Sequence, residues 1–134
     1  MDIEQGYTER EAALLSPGLL AYIGDSVYEL MARKYSLGKG YRRLHDIHQN
    51  TISLVNATTQ ARFLRIIEDI LVESEEDIVR RGKNTKTGNV PNNAEMIDYR
   101  LSTGFEALIG YLYLSDQEKR LNIIWNKITE TLEE

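Results

Sequence analysis

Hydrophobic positions crowd two stretches of the chain, and each stretch carries an acid that its neighbours do not explain. The first covers 19–32, where apolar side chains occupy nearly every face of the helix that the pattern predicts. Ser16 and Pro17 supply its start, a capping hydroxyl followed by a proline suited to the first turn. Gly38 is the expected left-handed stop. Such a helix belongs in the middle of the molecule, with Asp25 the anomaly, since an uncompensated buried carboxylate costs several kcal/mol. The second stretch, 105–114, repeats the design with Glu106, and Gly110 lies one turn away on the same face. Glycines at 24 and 110 weaken helix propensity but let two backbones approach closely. If the helices cross there, Asp25 and Glu106 converge; the bland alternative is that hydroxyls such as those of Ser26 or Tyr28 satisfy the acids.

Helical spacing continues on either side. Thr8, Glu9, Arg10 and Glu11 read as a capping box that opens a short helix through Leu15. Tyr41 begins a further helical stretch with Leu44, Ile47, Ile52 and Val55 as inward positions. Beyond Asn56 the apolar set is Phe63, Leu64, Ile67 and Leu71, on either a fresh helix or the continuation of a bent one. Ser74 to Asp77 form an acidic first turn that complements the helix dipole, and Gly82 is expected to end that helix. Residues 83–92 form one extended, basic, amide-rich loop. A long helix then runs from Asn93 to Leu114, and a last one turns Leu121, Ile124, Ile128 and Leu132 inward. No strand alternation is convincing, so the expectation is an all-α protein.

Two motifs sharpen this pattern. The run Leu20-Ala21-Tyr22-Ile23-Gly24-Asp25-Ser26-Val27 resembles the signature helix of the ribonuclease III catalytic domain, and Phe105-Glu106-Ala107-Leu108-Ile109-Gly110 resembles that family's second signature. The resemblance covers roughly 16–114. With Arg80-Arg81-Gly82-Lys83-Asn84 and Tyr99-Arg100, it extends to the Mini-ribonuclease III branch, in which no double-stranded-RNA-binding domain follows. Full-length family members carry acids where this chain has Ala21 and Thr103. Only Asp25 and Glu106 remain of the usual four carboxylates, which is the Mini pattern.

The resemblance implies a helical, homodimeric endonuclease domain spanning 1–134, with its core at about 16–114 and a C-terminal helix to 134. It implies a magnesium-dependent endoribonuclease that matures the ends of precursor 23S ribosomal RNA, pairing through Leu19, Tyr22 and Ile23. Magnesium is typically held through one or two carboxylates and keeps several waters, a demand that Asp25 and Glu106 match. Asp25 is expected to be the deeper and more indispensable of the two. Substrate choice falls to the domain's own loops or to a helper such as a ribosomal protein. The competing readings are a double-stranded-RNA-binding dimer without catalysis, serving ribosome assembly, and a helical interaction module.

Composition changes the picture in two respects. The net charge of −5 over 134 residues is unlike that of a nucleic-acid binder, yet the charges are segregated. Arg33, Lys34, Lys39, Arg42 and Arg43 lie together without an acid, as do Arg80, Arg81, Lys83 and Lys86. Arg33, Lys34, Arg42, Arg43, Arg80, Arg81, Lys83, Asn84 and Lys86 are therefore the candidate RNA contacts. There is no cysteine, so neither a disulfide framework nor a thiolate metal site is expected. His45 and His48 lack a third ligand and read as surface or interface residues. No apolar run reaches a membrane span and the acidic start is unlike a signal peptide, so a cytoplasmic protein is expected.

Overall fold

The computed structural model describes residues 2–3, 5–85 and 94–133. Among them lie seven α-helices: α1 (Glu9–Leu14), α2 (Pro17–Leu37), α3 (Leu44–Val55), α4 (Ala57–Ile67), α5 (Glu73–Lys83), α6 (Ala94–Leu114) and α7 (Glu118–Leu132). A 3₁₀ turn, Glu68–Ile70, joins α4 to α5, and no described residue lies in a strand. No described helix is long and apolar enough to cross a membrane.

Helix starts follow local chemistry. The Glu11 backbone N–H donates to Thr8 Oγ1 at 3.1 Å while the Thr8 N–H donates to Glu11 Oε1 at 2.9 Å, a reciprocal cap on α1. The Ser16 hydroxyl accepts from the Leu19 N–H at 3.3 Å, with Pro17 in the first turn of α2. Asn56 resolves the alternative of one bent helix or two. It ends α3 in an extended conformation, and its side chain accepts from the Thr59 N–H at 2.9 Å to open α4.

The core gathers around α6, which packs on α2, α4 and α5. Its Phe105, Leu108, Ile109 and Leu112 are buried against Leu20, Tyr28, Phe63 and Leu64. Tyr28 meets the Phe105 ring edge-on at 5.1 Å and Trp125 at 5.9 Å, which ties α7 to the α2–α6 pair. The Tyr28 hydroxyl donates to the Leu54 carbonyl at 2.7 Å, so it is not the partner of either acid. On the other side, Arg120 of α7 donates to both oxygens of Glu75, at 2.7 and 2.8 Å, and to the Ile70 carbonyl at 2.6 Å. Glu75 is only 2% exposed, and it also accepts from the Val72 N–H at 3.0 Å.

Several local expectations are corrected. Gly38 is right-handed, with φ −68°, and the left-handed glycine is Gly40 at φ 86°. The third helix starts at Leu44 rather than Tyr41, and its register is turned. Thr51 and Leu54 face inward, whereas Leu44 is 80% exposed and Ile52 is also exposed. The cause is polar: the Thr51 and Asn50 side chains both donate to the buried Ser36 hydroxyl of α2, at 3.1 and 2.9 Å. Gly82 does not end α5 but sits in its last turn, where a Cβ would lie 2.8 Å from the Gly104 Cα of α6. Helix α2 is not enclosed on every face either, since Leu19, Tyr22, Leu30 and Leu37 stand exposed along one side.

Candidate active site

The site is built where α2 crosses α6. A Cβ on Gly24 would lie 1.7 Å from the Glu106 carbonyl oxygen, and one on Gly110 would lie 2.0 Å from that of Leu20. Both obstructions are backbone, so only glycine lets the helices approach this closely. The residue after Gly24 is Asp25, and Glu106 stands one turn before Gly110, so the same crossing brings the two carboxylates together. They line a cleft of about 260 Å³ with Gly18, Ala21, Tyr22, Thr85, Tyr99 and Thr103.

The burial order of the acids is the reverse of the expected one. Asp25 is exposed and Glu106 is half-buried, because α2 turns its Asp25 side outward while the second acid stands on the more enclosed helix. Burial first and the adjacent Asp25 carboxylate second push Glu106 up from its ordinary 4.5 to about 8, with a hydrogen bond from Gln60 pulling the other way. Gln60, on α4, is 3% exposed. Its Nε2 donates to the Val55 carbonyl at 2.8 Å and lies 3.5 Å from Glu106 Oε2. Sequence reading missed it, although an amide among the apolar positions of α4 was a visible signal. It also missed Thr85, Tyr99 and Thr103 as cleft residues.

Two acids whose charges repel, one of them partly desolvated, form a donor set that a divalent cation neutralises, so the residues present fit magnesium. Among the described residues no cluster of three or more His, Asp and Glu side chains could hold a metal. Asp25 and Glu106 are the two carboxylates that line this cleft among the described residues. Ala21 and Thr103 leave space beside it, and the cleft is several times the roughly 30 Å³ that a water occupies.

The candidate RNA contacts divide. Thr85 lines the cleft and Asn84 caps the end of α5 just before it, whereas Lys83 lines a separate groove with Glu76, Asp77 and Arg80. Arg80 is exposed and pairs with Asp77. Arg81 corrects an expectation, since its guanidinium turns inward and donates to the carbonyls of Ala13 and Leu15 at 2.8 and 3.1 Å. It ties the end of α1 to α5 and is spent there. Arg33, paired with Glu29 at 3.1 Å, is exposed, as are Lys34, Arg42 and Arg43, and none of these four lines the cleft. Lys86 and most of the 83–92 loop fall outside the described residues. Leu19 and Tyr22 are exposed and Ile23 is half-buried, and Leu30 and Leu37 extend their stripe. His45 and His48 are exposed and line a shallow surface groove with Leu37, Leu44 and Ile47.

Residues 19–117 match the ribonuclease III domain family. The chain is 43% identical over 119 residues to a Mini-ribonuclease 3 of Symbiobacterium thermophilum, a match covering 89% of this chain and 92% of that one. It is 40% identical over 129 residues to a Mini-ribonuclease 3 of Clostridium tetani, covering 96% and 85% respectively. A crystal structure of a Fusobacterium nucleatum protein superposes with a TM-score of 0.79 at 30% identity, covering 93% of this chain and 98% of that one. With both signature acids at the helix crossing and relatives matched over nearly their whole length, the chain belongs to the Mini-ribonuclease III family.

Proposed function

We propose that this protein is a magnesium-dependent endoribonuclease that cleaves double-stranded regions of precursor 23S ribosomal RNA and so matures its 5′ and 3′ ends. The observation that carries the reading is the Asp25–Glu106 pair in an open cleft at the α2–α6 crossing. Asp25 and Glu106 would hold the cation, which when bound polarises the phosphate and supplies an activated water. Asp25, at the mouth, stays accessible to a hydrated ion. Glu106, half-buried, must give up its proton to take part, so it couples occupancy of the site to pH. Tyr99 lines the cleft where a phosphodiester would lie and can donate its hydroxyl to a phosphate oxygen, whereas the Thr85 and Thr103 hydroxyls beside it already donate to the carbonyls of Arg81 and Tyr99, at 3.2 and 3.0 Å.

One carboxylate pair per chain serves one strand, so cleavage of a duplex calls for two protomers. The apolar side of α2, with Leu19, Tyr22 and Ile23, is the proposed contact, extended by Leu30 and Leu37. Two basic segments per protomer would follow the backbone and shallow minor groove of A-form RNA. The protein is proposed to work in the cytoplasm, with choice of site resting on its loops or on a ribosomal protein.

Incubation with structured precursor ribosomal RNA, with and without magnesium, tests this reading when the ends are mapped. Paired cuts that require magnesium, abolished by Asp25→Asn with RNA binding retained, are expected. Tight binding without cleavage at any magnesium concentration would favour the non-catalytic RNA-binding dimer.

A further inference from the structure

Gln60 is a buried amide in an apolar helix face, and its hydrogen bonding is lopsided. Nε2 donates to the Val55 carbonyl at 2.8 Å, which fixes the flip of the amide, because only an N–H can face a carbonyl oxygen at that distance. The same NH₂ group then has one hydrogen left, and it faces Glu106 Oε2 at 3.5 Å. Oε1 is left buried with no hydrogen-bond partner among the described residues. A leucine or methionine would fill the place without that cost, so packing does not account for the amide. The Asn56 break between α3 and α4 puts the Val55 carbonyl where it can hold Gln60, and Gln60 in turn reaches across to α6.

We propose that Gln60 is a positioning residue for the cleavage reaction: anchored on Val55, its amide N–H orients the Glu106 carboxylate toward Asp25 for cation binding. The role presupposes Asp25 and Glu106 as the magnesium pair. The 3.5 Å contact is long for a hydrogen bond, and catalytic hydrogen bonds of this kind often tighten in the reactive complex. Partners of this kind set ligand orientation, and their loss typically lowers metal affinity roughly 10–100-fold.

Gln60→Met and Gln60→Leu keep the volume and remove the amide. Calorimetric titration of the RNA-free protein with magnesium, thermal melting without metal, and cleavage across magnesium concentrations are measured on both variants, with Glu106→Gln as reference. The expected result is a melting temperature held or raised, since Oε1 leaves with the amide. Magnesium affinity is expected to fall about tenfold or more. The magnesium concentration for half-maximal cleavage should rise by the same factor, with most of the rate recovered at saturation. Native magnesium affinity in folded Gln60→Met and Gln60→Leu, while Glu106→Gln loses it, overturns the role of Gln60 alone. Native affinity in Glu106→Gln overturns the metal pair, and the role of Gln60 with it. Loss of activity that tracks a lowered melting temperature and is not recovered by magnesium also overturns it.

Discussion

Gly24 and Gly110 meet backbone to backbone: a Cβ on the first would lie 2.9 Å from the nitrogen of the second, and one on the second 3.0 Å from the nitrogen of the first. The acids of the cleft stand where they do because of this contact. Gly24→Ala or Gly110→Ala should therefore destabilise the protein by roughly 3 kcal/mol or more, since the obstructing atoms cannot rotate away. Gly18→Ala, with nothing within 4 Å, should be neutral or stabilising by up to about 1 kcal/mol. Urea denaturation of the three variants checks this. Equal stabilities would mean that the crossing is looser than these distances.

Glu106 gives the metal-free protein a pH signature. Its proton is held up to about 8 in the folded state but only to about 4.5 in the unfolded chain, so across that window the folded state binds more protons. The associated stability is complete below 4.5 and is lost as pH rises through about 8. Native protein should lose stability relative to Glu106→Gln over this range, and its magnesium affinity should climb until about pH 8 and then flatten. Denaturant melts and calorimetry in buffers of different ionisation enthalpy measure both. Parallel stability curves for the two proteins would remove the coupling.

The Glu75–Arg120 pair lies away from the cleft and should matter only to stability. Arg120→Ala leaves a carboxylate that is 2% exposed without its cation, at a cost of about 3–5 kcal/mol. Glu75→Leu combined with Arg120→Met should recover much of that. Melting curves of the single and double variants decide, and an equal loss in both would mean that the packing there needs the ions themselves.

Arg42 and Arg43 are exposed, whereas Arg81 is engaged with backbone carbonyls. Replacing both Arg42 and Arg43 with alanine should lower the slope of log affinity against log salt by roughly two per protomer, taking about 0.9 per phosphate as in B-DNA. Arg81→Ala should leave that slope unchanged and cost about 2 kcal/mol of stability through its lost charged hydrogen bonds. Filter binding across salt concentrations, beside melting curves, separates the two. A slope that falls only in Arg81→Ala would reverse the assignment.

The helices and the convergence of the two acids were legible because apolar spacing, and a glycine next to an acid or one helical turn from it, are local signals. Less legible was whatever depends on the partner of a side chain. Thr51 looks like a surface residue until Ser36 is placed opposite it, and the register of α3 turns with that hydrogen bond. Gly82 reads as a stop by propensity, but Gly104 makes it a packing residue inside the helix. Arg81 reads as a phosphate contact because nothing in its own segment announces the carbonyls of Ala13 and Leu15. Asp25 and Glu106 converge as expected, yet their depths were reversed, since apolar neighbours in sequence do not say which side of a helix faces out.

Glu106 stands between Gly104, which abuts Gly82 of α5, and Gly110, which abuts Gly24 of α2. The two contacts are about 9 Å apart along α6 at 1.5 Å per residue. They index the helix axially against two different neighbours, like a shaft seated in two bearings. Slippage of a single residue would drive backbone into backbone at both points. The spacing of the backbones that carry the two acids is therefore set when the chain folds, and the cation and RNA strand proposed above would meet a gap already cut to size.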